Sequence, residues 1–143
     1  MAELYFQMRN WWSGFTSPMP VPGTPIRALA ESEIVRQPDG TPSNLQSTHI
    51  IFEMAETEFD RETQLQARIF SRVASNPGLI APVLDVLAQY ETRLKGQPHM
   101  FRLQNGGALM RYVSTRLLPL PAEETRMGWV CGLMRYSLKN FRT

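Results

Sequence analysis

Four residues of this chain have types and spacings suited to chemistry. His49, Glu53, Glu56 and Asp60 are separated by four, three and four residues, so a helix would line them along one face. An imidazole and carboxylates in such a column suit transition-metal binding or acid–base work. One helix supplies only part of a coordination shell, however, and His99 is the only other histidine. A solvated acidic face is the simpler expectation. Cys131 is the sole cysteine; it makes no internal disulfide, has no histidine near it in sequence, and reads as a small core residue in a reducing compartment. The glycines match neither a phosphate-binding loop nor a dinucleotide fingerprint, and no paired-cysteine zinc pattern occurs. The expectation is no catalytic residue, no metal and no cofactor, hence a protein that is not an enzyme.

Aromatic and basic residues carry more. Trp129, Leu133 and Tyr136 are spaced four and three apart, while Met127, Val130, Met134, Leu138 and Phe141 form a second stripe nearly opposite on a helical wheel. A helix that is apolar on two opposed faces is either buried between layers or touches a partner. Trp and Tyr beside Arg is the composition of an interface anchor. Near the other terminus, Trp11, Trp12 and Phe15 lie in a stretch punctuated by Pro18, Pro20, Pro22 and Pro25. These prolines favour an extended arm, whose aromatics either fold back on the core or dock on another subunit. The six residues Trp11, Trp12, Phe15, Trp129, Leu133 and Tyr136 are thus the candidate partner interface. Arg102, Arg111, Arg116, Arg135, Lys139 and Arg142 are candidate nucleic-acid contacts, with cations on phosphates and rings on bases, provided that they share one surface.

Among the elements, residues 76–96 carry the clearest helix signal. Asn76 suits the cap, Pro77 the first turn and Gly96 the end. Leu79, Ile80, Val83, Leu84, Val86, Leu87, Tyr90 and Leu94 gather on one broad side, and Pro82 is expected to bend the helix or to confine its first turn to a separate piece. A long helix, or two collinear ones, is expected over residues 44–75, where Leu45, Phe52, Phe59, Leu65, Ile69 and Val73 stay in phase. A strand at residues 49–52 is the competitor. Residues 26–35 read as a short helix ending before the Pro38-Asp39-Gly40 turn. Residues 97–104 read as a loop or short extended piece. After the Asn105-Gly106-Gly107 turn, Leu109, Tyr112, Val113 and Leu117 suit helical spacing better than a hairpin. A last helix is expected from Pro121 to the C-terminus, with acids first and bases last. Leu-Met-Arg-Tyr occurs twice, at 109–112 and 133–136.

The expected fold is therefore a single all-α domain of four or five helices with a proline-rich extended N-terminal arm: residues 8–25 for the arm and 26–143 for the helical domain. Residues 1–7, Met-Ala-Glu-Leu-Tyr-Phe-Gln, resemble a viral-protease recognition site used in expression tags, lacking one residue between Glu3 and Leu4. Whether native or a tag remnant, the segment is set aside from functional reasoning.

Composition bounds the function. The 143 residues are 43% hydrophobic and 20% charged, a globular balance with a net charge of +2. Residues 1–92 hold six Arg against eleven acids, whereas residues 93–143 hold nine bases against Glu123 and Glu124. No apolar run spans a bilayer and no secretory leader is evident, so a cytoplasmic, non-secreted protein is expected. The leading expectation is a structural subunit that self-assembles or docks into a larger protein assembly. The alternative is a helical nucleic-acid-binding protein with a basic C-terminal half.

Overall fold

Leu65, Ala67, Ile69 and Ser71 are buried, while Gln64, Gln66, Arg68 and Phe70 between them are more exposed. This is the period-two pattern of a half-buried strand, and it sets the architecture. The computed structural model describes residues 2–19, 21–34, 48–54 and 60–142. Their elements run α1 (Ala2–Trp12), β1 (Thr16–Ser17), β2 (Thr24–Pro25), β3 (Arg27–Ala30), a 3₁₀ turn (Glu31–Glu33), β4 (Thr48–Phe52), β5 (Glu62–Ser71), α2 (Ala81–Leu94), β6 (His99–Leu103), β7 (Gly106–Leu118), α3 (Ala122–Arg126) and β8 (Val130–Arg142). Six strands form one sheet in the order β3-β4-β5-β8-β7-β6. The pairing is antiparallel except between β3 and β4, which run parallel. The sheet curls into a half-barrel.

The all-α expectation is thus overturned: the described residues are mostly strand. Helix and strand periods coincide at four-residue spacings, because i and i+4 share both a helical side and a strand face. Leu65 and Ile69 fit either reading, as do Met134 and Leu138. The residues between decide, and Gln-Leu-Gln-Ala-Arg-Ile alternates. The long helix over 44–75 is replaced by β4 and β5, with Leu45 and Phe59 outside the described residues; the competing strand at 49–52 is the one that forms. The 26–35 helix is β3 and the 3₁₀ turn. The expected helix after residue 107 is instead β7, paired with β6 in a hairpin. Of the last helix only Ala122–Arg126 is helical; residues 127–129 turn the chain and Val130–Arg142 is β8.

Helix α2 does form, and Val83, Val86, Leu87, Tyr90 and Leu94 are its buried side. It starts later than expected, with Pro82 in its first turn rather than its interior, so no hydrogen bond is lost there. Its end needs no left-handed glycine, since Lys95 caps it with an ordinary right-handed backbone.

The curled sheet has an inner and an outer face. The cross-strand register puts Ile50, Ile69, Gly132 and Leu117 in one inner row, and Phe52, Ala67, Met134 and Thr115 in the next. Helix α2 lies against this face where Gly132 leaves room: a β-carbon there would sit 2.7 Å from Val83 and 3.1 Å from Leu87. Helix α1 spans the gap between the sheet's two edge strands, β3 and β6. Gln7 Nε2 donates to the Arg102 carbonyl at 2.7 Å, and the Gln104 amide donates to Glu3 Oε1 at 3.1 Å. Leu4 and Met8 are buried in the core. Residues 2–7 are therefore integral to the described fold, and residues 8–12 are helix rather than extended arm.

Candidate functional site

The chemical column of the sequence does not assemble. His49 is 1% exposed on the outer face, stacked on Phe70 at 5.3 Å and edge-on to Trp129 at 5.6 Å. Glu53 follows β4, where its Oε2 accepts the Gln66 amide at 3.2 Å and its carbonyl accepts the Tyr136 hydroxyl. Glu56 lies outside the described residues. Asp60 occupies a turn with φ of 62°. Among the described residues no group of His, Cys, Asp and Glu could hold a metal ion. His99 sits on β6 beside Phe101, and burial pulls its pKa down. The Cys131 thiol is pushed up to about 12, chiefly by burial, which leaves it protonated and inert at neutral pH.

The six aromatic and apolar interface candidates separate. Trp12 and Phe15 are fully buried and stack on one another, with Trp12 also parallel to Phe52 and Tyr90. Trp11 is half-buried, edge-on to Trp12 and Phe15. Trp129, Leu133 and Tyr136 do not form one helical face. Strand parity sends Leu133 and Trp129 outward and Tyr136 inward, and all three are buried. Here the aromatics cement the chain's own interior: Tyr90 and Tyr136 donate their hydroxyls to the carbonyls of Arg135 and Glu53. Enclosed in this way, five of the six candidates present little surface to a partner.

The basic candidates behave differently. Arg135 pairs with Ser114, Arg116 with Leu133, Arg111 with Ser137, Lys139 with Leu109 and Arg102 with Gly107, and each of these pairs falls on the outer face. The irregularity between Tyr112 and Ser114 keeps Arg111 and Arg116 on the same side despite their odd spacing. Five of the six therefore share one surface, joined by Arg68 of β5. Arg142 has the opposite parity and faces Gly106. Glu62 is the one acid at an outer-face position on these four strands; its Oε1 accepts Ser137 Oγ at 2.9 Å and lies 3.7 Å from Arg111 Nε. Arg68 pairs with Glu31 at 2.6 Å. The repeated tetrapeptide has a structural sense on these strands, since it points Met and Tyr inward and Leu and Arg outward on both β7 and β8.

No known protein family and no characterised protein sequence matches this chain.

One surface was missed from the sequence altogether. At the end of the half-barrel where β7 finishes, an open groove of about 280 Å³ is lined by Ile80, Leu117, Leu118, Pro119, Leu120 and Trp129 among others. Ile80 and Leu84 stand one turn apart on and before α2, 42% and 44% exposed, and Leu117 is 44% exposed. The signal was available in the width of the apolar stripe over residues 79–94. Eight apolar residues are more than one side of a helix can bury against one sheet, so some had to face outward. The charges around the groove are mixed: the Arg72 guanidinium lies 5.1 Å over the Trp129 ring, Arg116 precedes Leu117, and Glu123, Glu124 and Arg126 lie on α3.

Proposed function

We propose that the protein is a non-enzymatic structural subunit that joins other protein chains, by self-assembly or by docking into a larger assembly, through the apolar rim of its half-barrel. The exposure of Ile80, Leu84 and Leu117 around a leucine- and proline-lined groove is what supports this reading. Single exposed leucines are ordinary, but a contiguous apolar rim with polar surroundings is the usual mark of a protein contact. The contact residues differ from those favoured by sequence alone. The test is sedimentation velocity of the wild-type chain over a concentration series beside Leu84→Arg and Leu117→Asp. Both positions are exposed, so circular dichroism and the denaturation midpoint should match wild type while association weakens tenfold or more, as for contact-centre residues (about 1.4 kcal/mol). Unchanged association in both variants overturns the rim as the contact surface, and a wild-type chain that stays monomeric overturns self-assembly.

A second reading rests on the outer face, where Arg102, Arg111, Arg116, Arg135 and Lys139 lie together. Such a face suits a nucleic-acid backbone, and binding would then fall steeply with rising salt as counterions are released. Fluorescence anisotropy of a labelled oligonucleotide at two salt concentrations measures this directly.

A further inference from the structure

We infer that the outer face binds single-stranded nucleic acid, drawn out along β7 and β8 with one phosphate on each of five cations. This rests on the second reading above and names its ligand. The register supplies the observation. Along the outer face, successive cross-strand rows pair Arg116 with Leu133, Ser114 with Arg135, Arg111 with Ser137, and Leu109 with Lys139. The next row sets Gly107 between Phe141 on β8 and Arg102 on β6. Each row therefore holds one cation, on β7, β8, β7, β8 and β6 in turn. Arg102, Arg111, Arg116 and Arg135 are exposed and Lys139 is half-buried. Strands β6, β7 and β8 contain no acidic residue. Two acids border the line from the β5 side. Glu62 pairs with Lys139 across strands and lies 3.7 Å from Arg111, and Glu53 accepts the amide of Gln66, opposite Arg135. The Glu62 and Arg111 side chains are 48% and 58% exposed, so their pair contributes little and yields to a phosphate.

Spacing decides which form of nucleic acid fits. Consecutive rows are two residues apart along a strand, roughly 7 Å, close to the separation of neighbouring phosphates in an extended strand. The line of cations thus matches successive phosphates one for one. In a duplex each strand winds round the axis once in about 10 base pairs, so four steps carry it roughly 0.4 of a turn and off the face. A single strand has no such constraint and can bend to follow the outward curve of the sheet. Met100 is 43% exposed, and the Phe141 ring centroid lies 5.4 Å from Lys139 Nζ. These two side chains give unpaired bases apolar surface at the Arg102 end of the line.

Fluorescence anisotropy of the full chain with a labelled single strand of mixed sequence tests this, beside its duplex and an abasic strand of equal length. For the single strand, log K against log salt should fall with a slope of roughly −3.5, or −0.7 for each phosphate neutralised. Arg111→Gln and Arg135→Gln, checked for the wild-type denaturation midpoint, should each reduce that slope by roughly 0.7. Arg142→Gln removes the same charge from a position of inner parity and should leave the slope unchanged. The duplex and the abasic strand should each bind about fivefold more weakly or worse, since neither offers bases to the apolar side chains. A duplex that binds as tightly as the strand, with both falling as salt rises, overturns the single-strand assignment and leaves the nucleic-acid reading standing. An abasic strand that binds equally well makes the face a site for polyanions in general and also overturns it. Equal loss of slope in Arg142→Gln and Arg135→Gln overturns the line of cations. Absence of binding to every probe at low ionic strength removes the reading and the inference together.

Discussion

Trp12 shows how single residues hold this protein together. Its indole is fully buried, lies nearly parallel to Phe15, Phe52 and Tyr90, and leans on Tyr136, so residues from α1, β4, α2 and β8 meet in one aromatic stack. Offset parallel rings contribute beyond their buried area. Trp129 does a smaller version of this on the outer side, edge-on to His49 with the Arg72 guanidinium 5.1 Å above its ring. Truncating Trp129 to Ala is therefore expected to destabilise the isolated chain by about 3–5 kcal/mol in chemical denaturation, the range for a large buried aromatic. Cys131 gives a cleaner readout. With its thiol held protonated by burial, it should react negligibly with a disulfide reagent at pH 8 in the native state, and label fully once denaturant is added. Fast labelling without denaturant would show that β8 opens readily.

At the scale of elements, two contacts define the half-barrel. The first is α2 against the inner face, where Gly132 lets the helix approach and Glu91 accepts the Thr115 hydroxyl at 2.6 Å. The Gly132→Ala methyl would meet Val83 at 2.7 Å, Ile69 at 3.0 Å and Leu87 at 3.1 Å. Overpacking of this kind is expected to lower stability by about 1–3 kcal/mol, read from the shift in denaturation midpoint. The second contact is α1 bridging β3 and β6. A sheet left with two open edges invites pairing with other chains, and α1 occupies the gap with Leu4, Met8 and Trp12 turned inward. Removal of residues 1–12 should abolish the cooperative unfolding transition and cause aggregation, measured by circular dichroism and light scattering. A truncated chain that melts cooperatively and stays dispersed would show α1 to be dispensable.

Over the whole molecule, the curl of the sheet sorts chemistry by face. Aromatic and aliphatic groups fill the inside, bases collect outside on β5 to β8, and exposed apolar residues stand at the end where β7 stops. No helix of the described residues is long and apolar enough to cross a membrane. If apolar burial at the rim carries the contact, exposed ion pairs add little and salt does not screen it. The average mass in sedimentation equilibrium is accordingly expected to hold or rise as sodium chloride rises from low ionic strength. A mass that falls with salt would mean that charged groups, and not the apolar rim, carry the contact.

Some of this was legible before any fold was known. The helix near residues 81–94 and its buried side follow from local spacing, and so does the buried, unreactive cysteine. The uneven charge along the chain, which becomes a basic outer face, is likewise a property of composition. Strand identity was not legible in the same way, because Leu65 with Ile69 and Met134 with Leu138 are four apart and satisfy both periods. Pairing alone resolves that ambiguity, by giving each residue a neighbour on the next strand. The consequence reaches function: on a helix, Trp129, Leu133 and Tyr136 would share one face, whereas on β8 Leu133 and Tyr136 point to opposite faces, Trp129 just precedes the strand, and all three are buried. Likewise, Met100, Leu109 and Lys139 lie far apart in sequence and become neighbours only because β6, β7 and β8 align in register. Local spacing determines which residues prefer burial; the sheet's register determines which faces they share.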